Sequence, residues 1–149
     1  MVLRGGEGND QLIGGKGNDT LLGGNGDDTI SGGAGNDVID GEAGNDSING
    51  QTGNDAIRGG SDNDTISGGS GRYTILGSDG ADSLSGGSDN DLVLGENDVD
   101  FVSGDSGTDR LSGGGNTFTT DPNDTVNGSA SDLISDLFSF DFDALLAGL

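Results

Sequence analysis

An aspartate recurs every nine residues through most of this 149-residue chain: Asp10, Asp19, Asp28, Asp37, Asp46, Asp55 and Asp64, then Asp82, Asp91, Asp100 and Asp109, with Tyr73 in the one missing place. Carboxylates at a fixed interval suit one chemistry above others. If the chain coils so that aspartates two repeats apart stack, bare carboxylates repel, and a divalent cation between each pair reverses the sign. Carboxylates together with turn carbonyls form an all-oxygen site, which fits a hard cation of calcium's size. The chain has no His and no Cys, which removes Ser-His-Asp triads, zinc-protease motifs, thiolate metal sites and disulfides. No G-x-S-x-G elbow is present, and glycines at this spacing, beside acidic turns, do not make a phosphate or dinucleotide loop.

The elements that must position these aspartates follow from the same period. From Gly5 to Ser112 a nine-residue unit repeats twelve times without insertion or deletion, written most cleanly at Gly14 to Leu22 as G-G-K-G-N-D-T-L-L. Position 1 is always Gly, position 6 is the aspartate, and position 8 is always Leu, Ile or Val. Positions 1 to 6 are rich in Gly, Asn and Asp, which tolerate positive φ, so this half is expected to turn. Positions 7 to 9 place one apolar residue between two mostly polar ones, the pattern of a short half-buried strand. Such a strand must pair with its counterpart in a neighbouring repeat. Two turns and two strands make one coil of two repeats, with odd repeats stacked on odd and even on even in two parallel sheets. The position 8 side chains of both sheets then meet in a thin core. The expected fold is all-β, a right-handed parallel β-roll (solenoid) of nine-residue repeats over residues 1–118, with residues 119–149 as a small C-terminal capping segment. One aliphatic side chain per glycine-rich repeat is too little to hold such a coil, and the aspartate column points to the cation as the missing contribution.

The unit resembles the G-G-x-G-x-D-x-U-x nonapeptide of the RTX (repeats-in-toxin) proteins, whose repeats form a parallel β-roll with calcium in its turns. The resemblance implies that each ion lies between two consecutive loops on one side. The first loop gives the carbonyls of positions 2 and 4 and its Asp, and the second gives the carbonyls of positions 1 and 3 and its Asp. Carried over, the first site is Gly6, Gly8 and Asp10 with Gly23, Asn25 and Asp28. The second is Gly15, Gly17 and Asp19 with Gly32, Ala34 and Asp37. A third takes Gly24, Gly26 and Asp28 with Gly41, Ala43 and Asp46, and a fourth Gly33, Gly35 and Asp37 with Gly50, Thr52 and Asp55. Next come Glu42, Gly44 and Asp46 with Gly59, Ser61 and Asp64, followed by Gly60, Asp62 and Asp64 with Gly77, Asp79 and Asp82. The last two are Ser78, Gly80 and Asp82 with Gly95, Asn97 and Asp100, and Gly87, Asp89 and Asp91 with Gly104, Ser106 and Asp109. Twelve repeats offer ten such pairs, and Tyr73 removes the Asp from two of them, which leaves about eight Ca²⁺.

Charge sets the conditions. The net charge is −22, from 27 acidic and 5 basic residues. That argues against nucleic acid and anionic membranes as partners, since both require basic patches. No apolar run is long enough to span a bilayer. Abundant Gly and Ser, high charge and few aromatics are also the composition of a disordered chain. We expect that state without calcium and a folded one with it, because about eight Ca²⁺ would reduce −22 to about −6.

Along the chain, Val2, Leu3 and Arg4 fall at positions 7 to 9 of a repeat whose turn is missing, so the chain begins mid-repeat, as a piece of a longer protein would. Glu42 and Gln51 stand for Gly at position 2 and Asp62 at position 4, leaving the aspartate column intact. In Gly68 to Leu76, Arg72 and Tyr73 replace Asn and Asp. This reads as a tolerated defect rather than a contact surface, with Arg72 near Asp55 and Asp91 in place of part of the missing cationic charge. Leu76, Leu92, Leu94 and Phe101 sit at outward positions, and the three leucines form an apolar patch on one sheet. After Gly113 the repeat dissolves. The segment from Ser131 to Phe138 reads as a short helix, and Phe138, Phe140 and Phe142 alternate as a strand would. This acidic, apolar tail is expected to cap the last coil and to cover Leu76, Leu92 and Leu94. It also resembles the C-terminal signal with which RTX proteins engage type I secretion machinery, an ABC exporter; cap and signal can coexist.

The resemblance implies a calcium-dependent folding module of a secreted, extracellular bacterial protein, disordered in a calcium-poor cytosol and folding on export. The stretch carries no catalytic set, so any catalytic domain, of a protease or lipase for instance, is expected upstream. Binding modules are the other class: ice binding wants a regular Thr/Asx array that position 3 lacks, a polyanionic sugar wants basic residues, and an adhesin would self-associate.

Overall fold

A computed structural model describes residues 1–113. They form thirteen strands and no helix, wound into a parallel solenoid of about six coils. β1 (Val2–Glu7), β3 (Thr20–Asn25), β5 (Val38–Ala43), β7 (Ala56–Ser61), β9 (Thr74–Asp79), β11 (Leu92–Glu96) and β13 (Arg110–Ser112) build a seven-stranded sheet in that order. β2 (Gln11–Lys16), β4 (Thr29–Ala34), β6 (Ser47–Thr52), β8 (Thr65–Ser70), β10 (Ser83–Ser88) and β12 (Phe101–Ser106) build a six-stranded one. Every pairing is parallel and joins residues two repeats apart, such as Leu21 with Ile39 and Leu12 with Ile30. The expected two-sheet stacking of odd on odd and even on even repeats is thus observed.

The strands are longer than the apolar pattern suggested. Most run for six residues, from position 7 of one repeat through position 3 of the next, and only positions 4 to 6 turn. The glycines of positions 1 and 2 therefore lie in strands and not in a turn. Side-chain alternation is uninformative where there is no side chain, which is why these residues did not read as strand.

The core is a single file. The apolar side chains of position 8, from Leu12 to Leu111, form one buried cluster, with Leu3 packed against its end and Tyr73 included in it. Leu21, Ile39, Ile57, Ile75 and Val93 are fully buried.

A second cluster lies on the outer face of the seven-stranded sheet, where Ala56, Leu76 and Leu94 are buried with Val38 and Leu92 packed against them. The three leucines of the expected patch do lie together on that face, Leu76 and Leu94 buried and Leu92 half-buried. Leu76 and Leu94 are in-register neighbours on adjacent strands. On the same sheet Arg58 is ion-paired with the buried Asp40. The outer face of the six-stranded sheet keeps Ile13 and Phe101 exposed. The C-terminal cap, the helix or strand at 131–142 and the signal-like tail lie outside the described residues.

Candidate metal centre

One positive-φ residue near the end of each strand from β1 to β12 and another in the turn that follows place the aspartates. At positions 2 and 4 of every repeat the backbone takes positive φ: Gly6 and Gly8 in the first, Gly24 and Gly26 in the third, and so on to Asp105 and Gly107. Eight of these places are held by residues other than glycine, including Glu42 (φ 75°), Gln51 (φ 73°) and Asp62 (φ 77°). Each such residue carries a conformational cost of about 1–3 kcal/mol, so the geometry is imposed by the stack and not by glycine alone.

The turned backbone folds the position 6 side chain inward. Asp28, Asp37, Asp46, Asp55, Asp64, Asp82, Asp91 and Asp100 are all buried, as are Asp19 and Asp109 at the margins. One carboxylate oxygen of each of the inner ones is used for structure. The backbone N–H of Asp28 donates to Oδ1 of Asp46 at 2.8 Å, that of Asp46 to Asp64 at 2.8 Å, and that of Asp64 to Asp82 at 2.8 Å, one coil at a time. The other flank runs likewise from Asp19 to Asp37 and from Asp37 to Asp55.

The second oxygen is left over. Oδ2 of Asp10, Asp19, Asp28, Asp37, Asp46, Asp55, Asp64, Asp82, Asp91 and Asp100 is buried and has no hydrogen-bond partner. A buried, unsatisfied carboxylate oxygen is among the costliest groups a protein can hold. Burial accordingly pushes the Asp64 carboxyl up to about 7, with the flanking Asp46 and Asp82 charges adding to it. Burial likewise raises Asp46, Asp55, Asp82 and Asp91 to about 6, and it raises Asp37 and Asp100. Ten orphaned oxygens in two columns are what a positive charge in each turn would satisfy.

Carbonyls converge on the same points. A Cβ added to Gly32 would stand 2.7 Å from Asp37 Oδ2 and 2.9 Å from the Gly50 carbonyl of the next coil. Asp10 with Gly23, Asp28 with Gly41, Asp46 with Gly59, Asp64 with Gly77 and Asp82 with Gly95 crowd the position 1 glycines in the same manner. This explains why position 1 never varies: the place of its side chain is taken by oxygens. The position 3 carbonyls of Asn25, Ala34, Ala43, Thr52 and Ser61 each accept the position 4 N–H of the preceding coil, at 2.7 Å for Gly8 to Asn25. A carbonyl has two lone pairs, so one remains at each. Among the described residues no three acidic side chains gather at one point. The donor set is two carboxylates and carbonyls, an oxygen shell that fits calcium and does not fit a softer metal.

A second ladder escaped the sequence reading. The position 5 side chains point outward and accept the position 5 N–H of the next coil: Asp27 N–H to Asn9 Oδ1 at 3.0 Å, Asn36 to Asn18 at 2.9 Å, Asn54 to Asn36 at 3.0 Å. It runs in the opposite direction to the inner one, so each turn is tied to its neighbours from both sides. Its signal was the Asn or Asp that precedes most of the ladder aspartates.

At the flawed repeat the structure corrects one expectation. Arg72 is exposed, with its backbone N–H bonded to Asn54 Oδ1, while Asp55 and Asp91 are buried. Among the described residues, the N-terminal amine pairs with the buried Asp19 and Arg58 with the buried Asp40. Arg72 therefore does not stand in for a cation near Asp55 and Asp91. Position 5 faces solvent, which the sequence period alone did not establish.

The family model for the RTX calcium-binding nonapeptide repeat (4 copies) matches residues 4–39, 22–57, 40–75, 76–111 and 91–117. No curated protein matches the chain.

Proposed function

Because the chain belongs to the family of RTX calcium-binding nonapeptide repeats, we propose that its β-roll is a fold conditional on calcium, with ions held between successive turns by the residue sets named above. The repeats form a calcium-binding module whose role is structural and not catalytic. The observation that carries the conditional fold is the row of ten buried Oδ2 atoms without partners. Eight aspartate pairs one coil apart remain once Tyr73 is set aside, five on one flank (Asp10 to Asp100) and three on the other (Asp19–Asp37, Asp37–Asp55 and Asp91–Asp109). Each would take one ion, whose chemistry is to supply two positive charges between two carboxylates. The chain's own part is to aim Oδ2 inward, to present the carbonyls of positions 1 to 4, and to exclude water from the column. Without that charge the carboxylates repel and the coils separate.

Such a chain suits export through a type I machine. It would leave a calcium-poor cytosol extended and fold outside the cell, where calcium is abundant. Residues 119–149 would cap the last coil and address the exporter, and an attached domain would supply any catalytic activity. The test is far-UV circular dichroism during a calcium titration, with residues 133–149 present and deleted. A cooperative rise in β signal with calcium is expected, later or lower without the tail. The same spectrum in chelator and in millimolar calcium would sink the reading.

A further inference from the structure

We propose that the Tyr73 hydroxyl occupies the place of a cation between the repeats that begin at Gly50 and Gly68, so that this joint closes without metal and one flank of the roll is divided in two. The inference rests on the calcium reading above.

Tyr73 stands at position 6 and turns inward, as an aspartate would, and is 2% exposed. Its hydroxyl donates toward two carbonyls, Gln51 O at 3.0 Å and Ser70 O at 3.1 Å. These are the position 2 carbonyl of one loop and the position 3 carbonyl of the next, the counterparts of Gly33 and Thr52 in the pair one coil earlier. Ser70 O also accepts the Gly53 N–H at 3.0 Å. Its second lone pair, the one left over at Thr52 and the other position 3 carbonyls, is therefore taken by the phenol. The ring fills the remaining space, with its Cε1 2.8 Å from where a Gly50 Cβ would be, beside Asp55 Oδ2 and Gly68 O. The inner ladder passes on from there, since Tyr73 N–H donates to Asp91 Oδ1 at 2.8 Å.

A phenol thus reproduces two of the contacts expected of an ion, from a neutral donor, and fills with carbon the volume that an ion and its oxygens would need. It also removes one carboxylate from the column. The opposite flank, Asp10 to Asp100, runs without a break.

The experiment is the count of bound calcium on the full chain, by equilibrium dialysis and metal analysis, for wild type, Tyr73→Asp and Tyr73→Phe. Eight ions for wild type and ten for Tyr73→Asp are expected. Ten ions for wild type, or no gain in Tyr73→Asp, would overturn the proposal while leaving calcium binding intact. A wild type that binds none would instead remove the reading on which it rests. Should Tyr73→Asp not fold, Tyr73→Phe decides. It is expected to keep eight ions and to lose about 5 °C of calcium-loaded melting temperature, because two buried carbonyls lose their shared donor. An unchanged melting temperature means the hydroxyl bridges nothing, and the proposal fails.

Discussion

Replacing Asp64 by Asn separates the two tasks of a ladder aspartate. The amide oxygen can still accept the Asp46 N–H now received by Oδ1 at 2.8 Å. The amide nitrogen replaces the orphaned Oδ2 next to the Gly77 carbonyl, which lies 2.8 Å from the place of a Gly59 Cβ beside that same oxygen, and it can donate there. What is lost is the charge that Asp64 shares with Asp46 on one side and Asp82 on the other, so two ions are weakened by one substitution. At a calcium level a hundredfold above the site Kd, each ion contributes about 2.7 kcal/mol, so the loss is about 5 kcal/mol. For a domain of this size that is roughly 20 °C of melting temperature. In chelator the loss should vanish or reverse, because the uncharged amide removes a carboxyl that burial has pushed up to about 7. The assay is calorimetry in calcium and far-UV circular dichroism in chelator, with a count of bound ions falling from eight to six. Asp27→Asn is the control: it keeps the outer-ladder acceptor at an exposed position and should leave both the melting temperature and the ion count nearly unchanged. Equal destabilisation of Asp64→Asn in calcium and in chelator, or an unchanged ion count, would refute the cation role of the column.

The same geometry fixes three other outcomes. Without calcium, Asp46, Asp55, Asp82 and Asp91 at about 6 and Asp64 at about 7 bind protons more tightly folded than unfolded. The metal-free roll should thus gain stability as pH falls from about 7 toward the unfolded value near 4 and lose it as pH rises through 6 to 7; circular dichroism in chelator across that range checks the sign, and calcium affinity should weaken over the same fall as protons compete. Gly32→Ala should abolish the calcium-loaded transition at moderate calcium, since the new Cβ stands 2.7 Å from Asp37 Oδ2 and 2.9 Å from Gly50 O, whereas Gly15→Ala, with nothing within 4 Å of its Cβ, should cost only the strain of its φ of 98°, about 1–3 kcal/mol, in the same calcium titration. Ile57→Ala, at a fully buried place in the single-file core, should cost about 2–5 kcal/mol in calcium-loaded thermal melts.

The nine-residue period alone carried the architecture. It determined the coil of two repeats, the two parallel sheets, the identity of the core column from Leu12 to Leu111 and the aspartate column from Asp10 to Asp109, because a strict repeat lets each residue meet only its own counterpart in the next coil. Composition carried the choice of chemistry, since no His or Cys and an excess of carboxylates leave only an oxygen site. Tertiary structure decided what depends on direction. The strands extend through the glycines of positions 1 and 2, which hydrogen bonding between coils shows and a pattern of missing side chains cannot. Position 5 faces out and position 6 faces in, which sends Arg72 to solvent and the Tyr73 ring into the core. Leu76 and Leu94 sit at outward positions of the repeat and are nevertheless buried, which the period alone does not show. Above all, the two oxygens of each inner ladder carboxylate are chemically identical in sequence, and only the stack makes one a structural acceptor and leaves the other buried and bare.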